Sequence, residues 1–446
     1  MRKEGKSMTE KKIYADNAAT TALEWETLQH MLPYLSDCYG NPSGAYPLAR
    51  SAAKAVEEAR GMTAKCINAA PDEIYFTSGG TEADNWALRS TASIGAKNGK
   101  RHIVSTKFEH HAVLHTLEAL SKRGFDVTYV DIPPDGVVRP SDVLAALQED
   151  TCLVTVMLVN NEVGTIQPVA EIGKLCRERG IVFHTDAVQA AGHIPIDVRA
   201  MNIDMLSISA HKFHGPKGIG ALYCRNGVGL ENLMYGGAQE RRKRPGTENV
   251  AGIVGLAHAL DKACREMKDN NARIMPMRER LIEGLSRIPG SHLNGNPEHC
   301  VPGTVNFCFE GVNGESLVFL LGDVSNICAS AGSACTTGNL EPSHVLRAMG
   351  IPPELARGSL RLSINECNVL GEMDIIVEEV GRHVAHLRSL APNWDRENRE
   401  CTADDCCCTD KAYETLKKYE LYMTRESGFI GWKLRPRKDA EANGQT

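Results

Sequence analysis

The run CLVTVML (152–158), closed by Val159-Asn160-Asn161-Glu162, is the stretch on which the fold turns. It shows no alternation of apolar and polar residues, so it reads as a strand buried on both faces rather than one with a wet side. Helices must then cover both faces, and the flanks supply them. Val169, Ile172 and Leu175 follow at helical spacing. Working toward the N-terminus, VTYVDI (127–132) precedes a helical pattern from near Pro140, and HIVSTKF (102–108) precedes one with Val113, Leu117 and Leu120 on a single face. IYFTS (74–78) leads into a helix starting at Thr81, and toward the C-terminus come IVFHT (181–185), DMLSIS (204–209) and IGALYC (219–224). Strand–helix alternation of this kind from about residue 70 to 225 predicts an α/β large domain with a mainly parallel sheet.

Near residue 260 the texture changes. A long charged helix at about 257–287 leads to VNFCFE (305–310), a helix near 315–321, SNICASAGSACTTG (325–338), RGSLRLSIN (357–365) and an amphipathic helix ending near Leu390. This predicts a smaller α+β domain. The expected division is 22–260 for the large domain, 1–21 with 261–394 for the small one, and 395–446 for a cysteine-containing tail.

Bulk composition excludes several classes. The 446 residues are 42% apolar and 24% charged, which is ordinary globular usage, and the formal charge of −6 offers no global field for nucleic acid. MRKEGKSMTEKK (1–12) lacks the apolar core of a secretory signal, and no apolar run approaches the ~18 residues of a membrane span. Fifteen cysteines, an odd number mostly without paired spacing, point to reduced thiols and a cytoplasmic setting.

In open α/β sheets, functional groups gather at the carboxyl ends of strands, and the polar residues of this chain fall there. Gly79-Gly80-Thr81-Glu82 opens a helix after IYFTS, a turn that can cradle an anion on free N–H groups or serve as a plain tight turn and cap. Asp186 lies just past IVFHT with Gln189 beyond it, and Lys212 stands past DMLSIS in Ser209-Ala210-His211-Lys212. A lysine and a carboxylate at neighbouring strand ends can form a surface ion pair, or can hold the two sides of a pyridine aldehyde. Glu109-His110-His111 and Asn160-Asn161 occupy the same edge, and five strand ends so furnished argue for a site. Cys335 sits among small residues, Ala331-Gly332-Ser333-Ala334-Cys335-Thr336-Thr337-Gly338, that suit a mobile loop exposing its thiol. Arg361, in SLRLSIN, is a planar fork suited to a substrate carboxylate.

With these residues in view, the chain resembles the cysteine desulfurases, pyridoxal-phosphate enzymes of fold type I. It is most similar to the branch that serves nitrogenase and general iron–sulfur assembly. The matching motifs are YADNAATT (14–21), YGNPSG (39–44), FTSGGTEADN (76–85), EHHAV (109–113), VNNEVGTIQP (159–168), HTDAVQ (184–189), SAHKFHGPKGIGALY (209–223), GGAQERRKRPGTEN (236–249) and SAGSACTTGNLEPSHVL (330–346). The resemblance implies that Lys212 is the Schiff-base lysine, Asp186 the partner of the pyridinium nitrogen and His110 the ring-stacking acid–base. It implies further that Gln189 faces the phenolic oxygen, and that Asn161 lies beside it near the substrate carboxylate. Gly80, Thr81, Ser209 and His211 would hold the phosphate, with Thr247 joining them from the neighbouring subunit of a homodimer with shared active sites. Arg361 would clamp the carboxylate of L-cysteine. Cys335, giving its proton to His110, would take the sulfur as a persulfide and leave L-alanine, and a sulfur-acceptor protein such as an iron–sulfur scaffold would receive it.

The chain departs from its relatives at Tyr46, where many carry His, and in SINECNVLGEMD (363–374), where a Gly and a Thr-rich turn are usual. The tail adds Cys401, Cys406, Cys407 and Cys408 beside Asp404, Asp405 and Asp410. Consecutive cysteines cannot all face one ion, so no metal is expected there. A selenocysteine or cysteine-sulfinate lyase, an aminotransferase, and a non-catalytic scaffold that kept the fold remain alternatives. The first three share the lysine and aspartate, and Cys335 separates them.

Overall fold

The computed structural model describes residues 12–332 and 342–391, together with the backbone of four short strands beyond them, at 394–395, 400–401, 419–426 and 429–436. Cys335, Cys406, Cys407 and Cys408 lie outside the described residues, and Cys401 is described in its backbone alone.

The strands run β1 (Ile13–Tyr14), β2 (Ile74–Thr77), β3 (His102–Thr106), β4 (Asp126–Val130), β5 (Thr151–Thr155), β6 (Val182–Asp186), β7 (Met205–Ser209), β8 (Gly220–Cys224), β9 (Ser291–Leu293), β10 (Thr304–Phe309), β11 (Ile327–Cys328) and β12 (Ser359–Ser363). A seven-stranded sheet has the order β2-β8-β7-β6-β5-β3-β4, and only β8 is antiparallel to its neighbours. The fold is thus α/β with a mainly parallel sheet, as the strand–helix alternation requires. Every residue of β5 and β7 is buried, because helices cover both faces. One face packs on a core containing Val104, Val154, Phe183 and Ile208, and the other on Ile103, Leu153, Met205 and Trp86.

The opening apolar run is longer than the strand it makes. β5 ends at Thr155, and residues 156–158 peel from the ladder while the Val156 N–H still donates to His184 O at 3.3 Å and Leu158 N–H to Asp186 O at 2.9 Å. The run therefore extends one buried, extended segment to the sheet edge and delivers Asn160 and Asn161 there.

A three-stranded antiparallel sheet, β12-β10-β9, and the parallel pair β1-β11 make the second layer system, with its own core of Ile274, Leu281, Val305, Phe307, Leu317 and Ile376. The long helix begins at Val250 rather than 257 and reaches Ser286, and the Asn249 side chain caps it by accepting the Gly252 N–H at 3.1 Å. Its first half packs on the large core and its second half on the small one, so residue 260 falls inside one continuous helix.

The segment before that helix is strained. Glu240, Arg241 and Arg242 have φ of 43°, 55° and 64°, a left-handed run that costs roughly 1–2 kcal/mol per L-residue. What holds it is a buried two-pronged pair: Arg60 Nη1 and Nη2 donate to Glu240 Oε2 and Oε1 at 2.9 and 2.8 Å, and the Phe76 N–H joins Oε2 at 2.9 Å. Glu240→Gln is expected to lower the unfolding free energy by about 3 kcal/mol, measured by denaturant titration, because Arg60 would lose its buried carboxylate and keep the exposed Glu57, 3.1 Å from Nε.

Candidate active site

Each polar residue at the sheet's carboxyl edge is put there by its strand. The β6 alternation turns His184 and Asp186 to one face, and Asp186, at the last position, is 4% exposed. A tight turn after β7 (Ala210–Lys212) swings Lys212 back over the edge. At the end of β2, Gly79 adopts φ +155°, and a Cβ on Gly80 would lie 2.6 Å from Val188 Cγ2 and 3.6 Å from Ser209 Cβ. The lack of a side chain on Gly80 therefore lets the start of helix 80–97 pack closely against Val188. The N–H groups of that first turn have no intrahelical acceptor, which makes the turn an anion cradle. Thr81 is exposed on the same turn and lines a cavity of about 480 Å³ with His110, Asn85 and Arg89.

The Lys212 amine donates to the carbonyl oxygens of Ala18 and Ala19 at 2.6 and 2.8 Å, and Gln189 Nε2 shares Ala18 O at 2.9 Å. Burial, helped by the nearby Arg361 charge, pushes the amine down to about 8. Asp186 accepts the Val188 N–H at 2.9 Å; burial raises its carboxyl to about 6, opposed by that hydrogen bond and by Lys212. Asp84 and Glu109 are buried close by, each with one carboxyl oxygen lacking a partner among the described residues. Burial drives Asp84 well above the carboxylate range and Glu109 to about 8. Three buried carboxyl groups so close cannot all ionise, and Asp186, facing the lysine, is the one that carries the charge at neutral pH. His184 stays neutral between Thr155 Oγ1 at 2.9 Å and Ser207 Oγ at 3.1 Å, because burial holds its pKa near about 3.

His110 caps helix 111–121 by accepting the Ala112 N–H on Nδ1 at 3.1 Å. Burial and the Lys212 charge keep the ring neutral. With Nδ1 accepting that N–H, the proton of the neutral ring is assigned to Nε2. His211 Nδ1 meets Thr20 Oγ1 at 3.1 Å. Arg361 donates from Nη1 to Asn161 O at 2.8 Å and from Nη2 to Asp16 Oδ1 at 2.9 Å. Thr247 is exposed on the strained loop and makes no hydrogen bond with these residues among the described ones.

Both ends of the Cys335 segment are tied beside this group. The Gly332 N–H donates to Ser359 Oγ at 3.1 Å, and Ser343 Oγ donates to Glu162 Oε2 at 2.5 Å. His344 Nε2 contacts Glu109 O at 3.0 Å.

Several members of the site were not singled out in the sequence. Asp16, Ala18 and Ala19 lie in YADNAATT, Asp84 in FTSGGTEADN and His184 in HTDAVQ. The two-residue spacing of His184 and Asp186 was the one usable local signal; the others act through contacts far apart in the chain.

The donor set fits pyridoxal phosphate. A buried ionised carboxylate, a glycine-lined anion cradle and a depressed lysine surround a space where Asn161 Oδ1 and Arg361 Nε are buried without partners among the described residues. A mainly parallel sheet bearing this lysine and carboxylate at its carboxyl edge defines a fold-type-I pyridoxal-phosphate enzyme. The profile of the family described as "Aminotransferase class-V" matches residues 13–376. Cysteine desulfurase IscS of Methanosarcina thermophila is 48% identical over 396 residues, 89% of this chain and 98% of the relative. Among solved structures, a "NIFS-LIKE PROTEIN" superposes with a TM-score of 0.79 at 37% identity, covering 84% of this chain and all of its own. "SspA in complex with cysteine" does so with 0.71 at 36% identity, covering 80% and 100%. The chain belongs to the class-V aminotransferase family and, within it, to the pyridoxal-phosphate-dependent cysteine desulfurases.

Proposed function

We propose that the chain converts L-cysteine to L-alanine, takes the sulfur as a persulfide on Cys335, and supplies it to an acceptor protein such as an iron–sulfur scaffold. The observation that carries this reading is the meeting of Lys212, Asp186 and Arg361 at one sheet edge, with Arg361 Nε and Asn161 Oδ1 buried and unpartnered there. When bound, the coenzyme supplies an electron sink for the substrate α-carbon. Asp186 would hold the ring nitrogen with its negative charge, His110 would stack on the ring as the acid–base, and Gln189 would face the phenolic oxygen. Gly80, Thr81, Ser209 and His211 would hold the phosphate, joined by Thr247 from a second copy. Arg361, with Asn161 through its Nδ2 amide, would hold the substrate carboxylate.

Lys212, resting on the Ala18 and Ala19 carbonyls, takes the α-proton at Nζ. Thiolate Sγ of Cys335 then attacks the substrate sulfur; the carbon–sulfur bond breaks, the sulfur–sulfur bond forms, and the electron pair stays on carbon until a proton returns.

The homodimer is part of the proposal. It draws on Trp25, Leu35, Tyr39, Tyr46 and Tyr235, large apolar side chains left exposed, Tyr235 at 93%. So is the division into 22–260, 1–21 with 261–394, and a tail. Cytoplasmic location draws on ten described cysteines that are all free thiols. No helix among the described residues is long and apolar enough to cross a membrane. Purified protein given free cysteine and a thiol reductant is expected to release alanine and sulfide in equal amounts. Alanine without sulfide, or neither, overturns the reading.

A further inference from the structure

Asp16 belongs to the chain's first described segment, yet it touches a residue 345 positions away. Its Oδ1 accepts from Arg361 Nη2 at 2.9 Å, and the side chains are only 18% and 10% exposed. The backbone holds it there. Asp16 bridges Ser363, the Asn17 N–H donates to Ser363 O at 3.0 Å, and the Ser363 N–H returns to Ala15 O at 2.7 Å. Since Ser363 stands two residues beyond Arg361 on β12, Asp16 and Arg361 share one rigid patch of sheet.

The guanidinium inventory shows what this contact does. Arginine has five N–H donors in a plane. Nη1 uses one on Asn161 O at 2.8 Å and Nη2 one on Asp16, whereas Nε is buried with no partner among the described residues. Two protein acceptors on the Nη atoms fix both the tilt and the roll of the fork. Three N–H groups remain, a second one on each Nη and the one on Nε, and the Nε donor lies in a buried place where an unsatisfied donor is costly unless a ligand completes it. Asn161 Oδ1, also buried and unpartnered, belongs to the residue whose carbonyl anchors Nη1.

We infer that Asp16 is a positioning residue for substrate binding: by holding Nη2 of Arg361 it turns the Nε edge of the guanidinium toward the carboxylate of the amino-acid substrate. The inference rests on the reading of Arg361 as the carboxylate clamp. Asp16 also opposes that carboxylate as a like charge, so two effects compete. Orientation acts through a direct 2.9 Å contact on the fork, whereas the repulsion is divided between Arg361 and the neighbouring Lys212. Orientation prevails, and the acceptor atom matters more than its charge.

The test uses the holoenzyme and binding of L-alanine, the product, followed through the absorbance of the bound coenzyme, alongside KM and kcat for cysteine. Asp16→Ala is expected to weaken alanine binding and raise KM about tenfold to a hundredfold, with kcat changed by less than about threefold. Asp16→Asn, which keeps an oxygen acceptor for Nη2, is expected to bind alanine within about threefold of wild type. The unchanged resting absorbance of both variants reports that fold and coenzyme are in place. Asp16→Ala with unaltered or tighter alanine binding overturns the inference, as does an Asn variant as weak as the Ala variant. Arg361→Gln separates the two readings. If it loses alanine binding while Asp16→Ala does not, only the role of Asp16 falls; if Arg361→Gln also binds normally, the clamp itself is wrong.

Discussion

Replacing Lys212 by alanine is expected to yield a folded protein that is colourless after coenzyme addition and slower in turnover by at least about a thousandfold. The variant removes the amine that rests on the Ala18 and Ala19 carbonyls, while the packing around it stays. Ala18 and Ala19 lose a hydrogen-bond donor, but Gln189 still reaches Ala18 O. The aldehyde of the coenzyme then has nothing to condense with, and no group at Nζ takes the α-proton. Absorbance after dialysis against coenzyme reads the first loss, and alanine formation the second. A yellow, active Lys212→Ala protein would refute the assignment.

The same amine predicts a pH dependence in the wild type. Its pKa is depressed to about 8, by burial first and then by the Arg361 charge. Only the neutral amine attacks an aldehyde, so coenzyme loading of the apoprotein should slow about tenfold per pH unit below that value and level off above it. An ordinary exposed lysine would still be gaining rate near pH 10, which stopped-flow absorbance distinguishes.

Cys335→Ser is expected to abolish sulfide release, by about a thousandfold or more, while coenzyme absorbance and L-alanine affinity stay at wild-type values. A serine hydroxyl cannot form the sulfur–sulfur bond, and the contacts given above for Lys212, Asp186 and Arg361 are made with other residues. The anchoring on either side supports the reach. Ser343 Oγ donates to the Glu162 carboxyl, next in sequence to Asn161, the Gly332 N–H donates to Ser359 Oγ at 3.1 Å, and Cys335 is three residues past Gly332, within ~10 Å of chain. Retained sulfide production in the serine variant would transfer the acceptor role to another thiol.

Much of the site was legible because strand ends are local features. The apolar run at 152–158, the Gly79-Gly80 turn and the strands IVFHT and DMLSIS each report burial or backbone form within a few residues. They place Asp186, Lys212, Asn161 and the anion cradle on one edge without reference to anything distant. Boundaries were less legible. The helix expected at about 257 begins at Val250, because VAGIVGLAHAL is apolar on nearly every face and its periodicity fades where it is buried against the large core.

By itself, then, the sequence determined a two-faced α/β sheet, the identities of the reactive side chains and the edge on which they stand, since periodicity and turn chemistry act over one or two turns of chain. Only the tertiary structure decided that Asp16 holds Arg361 across 345 residues, that the Ala18 and Ala19 carbonyls hold the Lys212 amine, and that Nδ1 of His110 is spent on a helix cap. A hydrophobic pattern states that a face will be covered, not by which distant segment. That choice is made when β1 pairs with β11 and the chain's beginning closes over the sheet edge.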